Sequence, residues 1–307
     1  MIRACRFRSL SLGKVNRTLF VFSVVFFLYF LFGILRLAPI LQMFRISFYD
    51  FDLIGLRKEF IGFRNYIELF HDTNFHIALR NTLLVVAISV PTTVILAFIL
   101  ALFYNTKLRL RSFYQLIYFI PAIMPTAAVS LIWRWMYDPG YGLLNYVLSW
   151  FGIRPVPWLV DERIALYSVI ILWVWKWVGY YAILFLVGLQ NIPEMYKDAA
   201  KVDGANWWQS LRYVTLPLLK PVTLFVLIIA STWAFRIFVP VYILTLGSQG
   251  APGNAVRVIV YDMYENYFVY DRVGYACAEG FVLFLIVALF TFLQLKLTRG
   301  SEAEGGT

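Results

Sequence analysis

Charge is what this chain has least of. Lys, Arg, Asp and Glu make up 14% of its 307 residues, where a soluble domain carries about 25%. With 61% of residues hydrophobic, that scarcity excludes an ordinary soluble protein. It points to several helices, each crossing about 30 Å of hydrocarbon. Cysteine is nearly absent too, and Cys5 and Cys277 are too few for a disulfide framework. Histidine is limited to His71 and His76. Their spacing is off the i, i+4 face that helical metal sites use, so they read as solvated loop residues. The phosphate-cradling pattern G-x-x-x-x-G-K-[ST] is missing, because Gly13-Lys14 is followed by Val15. A G-x-S-x-G elbow and a repeat of roughly 20–50 residues are missing as well. The chain is therefore not expected to be an enzyme, nor to hold a metal, ATP or another cofactor itself.

Long apolar runs are plentiful. Six of them predict an all-α membrane protein with spans at about 19–41, 81–103, 113–136, 163–189, 219–244 and 274–295. Residues 1–18 are basic (Arg3, Arg6, Arg8, Lys14, Arg17). A basic start before an apolar run suits a signal peptide, but this run is too long and no small-residue cleavage site follows. It reads as an uncleaved first span, with Arg36 near its outer end, where snorkelling is cheap. Pro121 and Pro125 are expected to break the third span. Lys107, Arg109, Arg111, Lys197, Lys201, Arg212, Lys220, Lys296 and Arg299 fall on the same side as the N-terminal cations, in short segments. The basic residues of the other side are diluted by acids such as Asp50, Asp52, Glu59, Glu68 and Asp72. This bias places both termini in the cytoplasm and explains the net charge of +10 without nucleic acid. The organisation is a tail at 1–18, a membrane body at 19–298 and a tail at 299–307.

The stretch 190–218 is polar between two apolar runs. Lys197, Asp198, Lys201, Asp203, Gln209 and Arg212 would each be costly in lipid, so it lies in water on the cytoplasmic side. Pro193 suits a helix start and Gly204 a helix end. Tyr196, Ala199, Ala200 and Asp203 fall at i, i+3, i+4 and i+7 and share one helical face. Two alanines there would let a partner's backbone come close. The plain reading is a solvated loop with a short helix.

Polar and aromatic residues also interrupt the spans. Trp173, Lys176, Trp177 and Tyr180 share a face of the fourth span. Such rings can stack on the apolar faces of sugars, and a cation can hold a hydroxyl or an anionic group. The alternative is interfacial aromatics with a snorkelling lysine, although Lys176 lies mid-span, where snorkelling is hardest. Trp233 and Arg236 in the fifth span and Glu279 in the sixth complete the candidate solute path. Arg236 and Glu279 both sit in the outer part of their spans, where they could form an ion pair that cancels the cost of burial.

Asp198-Ala199-Ala200, Asp203-Gly204-Ala205, Leu211, Val214 and Leu216-Pro217 resemble the "EAA loop" of binding-protein-dependent ABC importer permeases, with Asp198 where that family usually has Glu. The resemblance continues through Arg64-Asn65-Tyr66, Phe75, Leu79-Arg80-Asn81-Thr82, Phe235 to Phe238, Val241 to Thr245, Ala251 to Asn254, Tyr264, Phe268 and Gly274-Tyr275-Ala276. These segments look like carbohydrate-type permeases, although Val239 stands where Asp is frequent. A basic residue is common at the position of Arg236, so Arg236 is only weak evidence for an anionic solute.

The resemblance implies an ABC type I permease (MetI-like) fold of the maltose or glycerol-3-phosphate group. It implies a second permease subunit, two ATPase subunits that bind the ATP and Mg, and an extracytoplasmic binding protein that delivers a sugar or sugar-like solute. It also implies that Tyr196, Asp198, Ala199, Ala200, Asp203, Gly204 and Ala205 couple to the ATPase. Other readings are an ion-gradient-driven transporter or channel, a sensor or scaffold, and an ABC permease for glycerol-3-phosphate, an amino acid or a metal. A gradient-driven transporter would need a relay of intramembrane acids, and in the sequence Glu279 stands nearly alone.

Overall fold

A backbone inside hydrocarbon must satisfy its N–H and C=O groups within the protein, so apolar runs of this length wind into helices. The computed structural model describes residues 14–54, 58–106, 109–246 and 252–303. The N-terminal cations Arg3, Arg6 and Arg8, together with Cys5, Lys107 and Ala251, lie outside the described residues. The first span is α1 (Lys14–Phe32), a π-helical turn at Gly33–Leu37 and α2 (Ala38–Ile46). Pro39 explains the wide turn, because its ring would strike the carbonyl four residues back. A small antiparallel hairpin follows, β1 (Tyr49–Phe51) with β2 (Lys58–Phe60), and departs from an all-helical reading. Next come α3 (Arg64–His71) and α4 (Thr73–Tyr104). The 32 residues of α4 extend about 48 Å at ~1.5 Å per residue. The helix therefore begins well before the expected 81 and stands clear of the hydrocarbon at its start.

The third span is two helices, α5 (Arg111–Ile123) and α6 (Thr126–Met136), bent by 99°. Of the two prolines expected to break it, only Pro125 lies at the break, and Pro121 is buried inside α5. Counting this bent pair as one span gives the expected six; the other five are continuous enough to cross by length and composition. The outer loop holds α7 (Leu143–Ser149), and α8 (Glu162–Gln190) is the fourth span, started by Asp161, whose side chain accepts from the Arg163 N–H. The polar segment between the fourth and fifth spans comprises α9 (Glu194–Val202), α10 (Trp207–Ser210), a π-helical turn at Leu211–Thr215 and α11 (Leu216–Leu218). The fifth span is α12 (Lys220–Phe235), a break at 236–238 and α13 (Val239–Thr245). Then α14 (Gly253–Val256), α15 (Ile259–Tyr264) and a π-helical turn at Glu265–Val269 lead to the last span, α16 (Val273–Ala303).

The centre of the bundle is α8. Of its most apolar window 61% is buried, against none of the first span's. Glycine makes this possible: a Cβ on Gly179 would lie 1.8 Å from the Tyr118 carbonyl oxygen of α5, and one on Gly188 would lie 2.8 Å from the Leu219 side chain. An outer cap joins distant parts of the chain. Asn65 Nδ2 donates to the carbonyls of Ser47 (2.8 Å) and Tyr49 (3.1 Å), and Gly274 lets α16 meet the Tyr49 carbonyl. Arg272 pairs with Glu68, the Tyr275 hydroxyl donates to Asp72 (2.7 Å), and the Leu53 N–H donates to Asp271 (2.7 Å). Asn81 Nδ2 donates to the Arg257 carbonyl (2.9 Å), and Thr82 Oγ1 accepts from the Ile259 N–H (3.0 Å).

Gly179→Ala should force α5 off α8, an overpacking penalty of roughly 1–3 kcal/mol or more. It should remove most of the monodisperse protein seen on size exclusion after detergent extraction. Gly33→Ala, with nothing within 4 Å of its Cβ position, should leave that peak unchanged.

Candidate functional site

Two places can carry function, one in the membrane and one beneath it. In the membrane, Trp173, Trp177 and Tyr180 project from one side of α8, each about half-buried. The ring centroids of Trp173 and Trp177 are 5.7 Å apart, and those of Trp177 and Tyr180 are 6.1 Å apart. The fifth span adds Trp233 because α12 stops just beyond it. Its centroid lies 4.4 Å from Trp177 and 5.5 Å from Tyr180, the latter pair stacked. The helix ends there because Arg236 and Phe238 leave helical geometry ahead of Pro240. Trp177 Nε1 is buried and has no hydrogen-bond partner. A buried indole N–H usually finds one, so the cluster offers aromatic faces around one enclosed, unpaired donor.

Lys176 touches this cluster, its Nζ lying 4.9 Å from the ring centroid of Trp177, but its hydrogen bonds run the other way. It is 1% exposed, and its Nζ donates to the carbonyls of Pro121 (2.9 Å) and Met124 (2.8 Å). Residues adjacent on a helix point about 100° apart, and Lys176 leans toward α5 while Trp177 faces α12.

The expected pair of Arg236 with Glu279 is absent among the described residues. Arg236 is exposed. Glu279 is fully buried and accepts from Asn266 Nδ2 (3.2 Å). The buried cation of the outer half is instead Arg257, which pairs with Asp262 and with Glu265 (2.6 Å) and donates to Asn254 Oδ1 (3.2 Å). Glu279 is therefore not an isolated membrane acid. It shares this pocket of polarity with Asp262 and Asn266, and Arg257 offsets the carboxylates of Asp262 and Glu265. None of Arg257, Asp262, Glu265 and Asn266 stood out in the sequence. The one available signal was an arginine and two acids within nine residues beside an apolar span.

In the polar loop, the helix α9 is capped by Pro193 at its start and by Asp203 at its end. Gly204 takes φ +75°, a left-handed conformation that glycine adopts freely. Its N–H donates to the Lys201 carbonyl (3.0 Å), and the Ala205 N–H donates to the Ala200 carbonyl (2.9 Å). These two bonds are the Schellman ending. Nothing lies within 4 Å of the Gly204 Cβ position, so backbone conformation, not space, requires the glycine. The expected shared face is split: Tyr196, Ala199 and Asp203 are exposed, but Ala200 is buried, because the Schellman turn folds the following chain back over it. Asp198 pairs with Lys201 at 2.8 Å, and this hydrogen bond raises the pKa of Lys201 above the usual lysine value. Asn206 and Gln209 form a capping box that starts α10. Met195, Tyr196, Val202, Trp207, Trp208 and Tyr213 are all exposed, a concentration of apolar surface in water that marks a contact face.

In the outer loop, burial raises the pKa of Asp138, but the N–H groups of Tyr141 (3.1 Å) and Gly140 (2.8 Å) outweigh it and hold the carboxyl below its ordinary value. Asn145 fastens the far side of this loop, accepting from the Val156 N–H and from Trp158 Nε1, both at 3.0 Å.

A family model described as "Binding-protein-dependent transport system inner membrane component" matches residues 93–301. The arabinooligosaccharides transport system permease protein of Bacillus subtilis is 34% identical over 93% of this chain and 90% of its own length. The trehalose/maltose transport system permease protein of Thermococcus litoralis is 33% identical over 86% and 88%. The lactose transport system permease protein of Rhizobium radiobacter is 33% identical over 93% and 94%. The fold is shared with a crystal structure of a bacterial ABC transporter involved in the import of the acidic polysaccharide alginate. That chain has a TM-score of 0.80 and 22% identity, with 93% of this chain and 97% of that one covered.

Removing Arg257 as Arg257→Met should strand Asp262 and Glu265, a loss of about 3–5 kcal/mol for a broken buried pair. The folded fraction on size exclusion should fall sharply. Arg236→Gln, at an exposed position, should not change it.

Proposed function

Because the chain belongs to the family of binding-protein-dependent transport system inner membrane components, we propose that it forms one side of the membrane path for a sugar or short oligosaccharide. As a permease it is a transport subunit of the inner membrane, and ATP is hydrolysed by a separate subunit. The observation that carries the sugar reading is the mid-span cluster of Trp177, Tyr180 and Trp233 with the unpartnered Trp177 N–H. Sugar rings offer C–H faces for stacking and hydroxyl oxygens that accept from an indole N–H. Relatives named for arabinooligosaccharides, trehalose/maltose and lactose support the same class. Trp173 extends the aromatic line, and exposed Arg236 lies at the break just beyond Trp233.

The cytoplasmic loop would be the coupling element. Two ATPase subunits carrying ATP and Mg would grip α9 and the exposed aromatics around it, and their closure would move α8 and α12, which flank the loop. Tyr196, Asp198, Ala199, Asp203, Gly204 and Ala205 would form or shape the contact, and Ala200 would act from inside. The Asp198–Lys201 pair is exposed and worth little, so Asp198 can exchange Lys201 for a basic group on an ATPase. A second permease would complete the path, since the most apolar stretch of the first span has no buried residue within this chain. An extracytoplasmic binding protein would deliver the solute. The loop only transmits: it shifts the inward–outward equilibrium by the difference in ATPase contacts between the two states.

The test is uptake of radiolabelled maltose, lactose and arabinotriose by cells carrying the whole importer. Trp177→Ala and Trp233→Ala should each lower uptake of the transported sugar by roughly tenfold, ~1.4 kcal/mol of lost stabilisation. Trp135→Ala, on the exposed side of α6, should not. Uptake by the cluster variants at the wild-type rate would refute the sugar path. Gly204→Asp should abolish uptake at a normal membrane level of protein, and uptake that persists would refute the coupling role.

A further inference from the structure

Lys176 sits near the midpoint of α8, the 29-residue helix Glu162–Gln190. Either end lies about 20 Å away at ~1.5 Å per residue, beyond the reach of a snorkelling lysine. Its side chain is buried, and the two acceptors found for it are backbone carbonyls, those of Pro121 and Met124.

Those carbonyls need a donor for a reason written in the sequence. In a continuous helix the Pro121 carbonyl would accept from the N–H of residue 125. Residue 125 is proline, which has no N–H. The Met124 carbonyl would accept from residue 128, but the chain turns by 99° between α5 and α6. Met124 is extended there, with ψ 142°. Both carbonyls also sit at the negative end of α5. Left alone inside a membrane bundle they would be unsatisfied acceptors. One Nζ, with up to three donors, answers both.

The same Nζ lies 4.9 Å from the ring centroid of Trp177. Three residues further along α8, Gly179 presses against the Tyr118 carbonyl of α5. The corner of the third span, α8 and the ring of Trp177 are thus tied through one side chain. We propose that Lys176 is a positioning residue that pins the broken third span to α8 and fixes the ring of Trp177, without itself touching solute. This rests on reading the Trp177–Tyr180–Trp233 cluster as the sugar-facing site. A shift of the α5–α6 corner would then change how the path holds a sugar.

The test uses the whole importer, with uptake of labelled maltose, lactose and arabinotriose and with hydrogen exchange of residues 118–128 in nanodiscs. Lys176→Met should raise the half-saturating sugar concentration about tenfold, with the maximal rate at matched protein level kept within about threefold. Protection of 118–128 should fall. Lys176→Arg, which keeps donors for both carbonyls, should recover part of what Lys176→Met loses. Pro125→Ala returns an N–H to position 125, so Lys176→Met should cost at least about threefold less in that background than alone. Kinetics of Lys176→Arg no better than those of Lys176→Met, additive effects of Pro125→Ala and Lys176→Met, or unchanged protection in Lys176→Met would each overturn the pin. Trp177→Ala with unchanged half-saturation and normal protection would instead sink the sugar-site reading, and with it the ring-positioning half of the proposal.

Discussion

Every break in a membrane span frees backbone groups, and in hydrocarbon those groups must be answered by the protein itself. Among the described residues three spans are broken or widened, and each is answered differently. Before Pro39 the helix widens, and the Ala38 N–H closes the turn onto the Gly33 carbonyl. At 236–238 the chain closes tightly, with the N–H groups of Arg236 and Ile237 donating to the carbonyls of Trp233 and Ala234. At Met124–Pro125 the backbone has no local answer, and a side chain from α8 supplies it. The breaks also place chemistry. Ending α12 at Phe235 leaves Trp233 on its last turn, facing the aromatic side of α8.

The rigidity of α8 is the complement of these breaks. It runs unbroken through the bundle, and its glycines are placed where neighbours come close, at Gly179 against α5 and Gly188 against the start of α12. Both ends of the polar loop are therefore held by well-packed helices. The loop itself is shaped by its own backbone: Pro193 opens α9, Gly204 closes it, and Asn206 with Gln209 opens the next turn. A contact made on α9 is carried by a short, self-capped rod into two long spans.

The spans were legible in the sequence because each is a run of about twenty apolar residues with cations at one end. The loop was legible because Pro193 and Gly204 have conformational preferences that hold in any context. The aromatic line Trp173–Trp177–Tyr180 was legible because helical periodicity fixes it. The partner of Lys176 was not: the need for a donor at the Pro121 carbonyl arises only once the chain turns at Pro125. Arg236 and Glu279 looked matched because depth and sign were compared, but depth says nothing of rotation about each helix axis, and the two face apart. Arg257 and Asp262 sit across a loop at a spacing that fits neither helix nor strand. Ala200 looked like surface because periodicity cannot foresee a turn that folds the chain back over it.

The outer cap has a consequence for how the protein is made. Its bonds join Leu53 to Asp271, Glu68 to Arg272 and Asp72 to Tyr275, residues about two hundred apart. At the usual ~5–20 residues per second of synthesis, the early partners emerge about 10–40 s before the late ones exist. During that interval Asn65 can hold the hairpin and Asp72 Oδ1 can cap α4 through the Asn74 N–H, but Glu68, Asp72 Oδ2 and the backbone of Leu53 are without these late partners. The nascent half is thus kept soluble at its rim by groups whose final partners arrive last. Insertion of the sixth helix is the event that seals the bundle, and a ribosome that stalls before residue 271 leaves it open at the top.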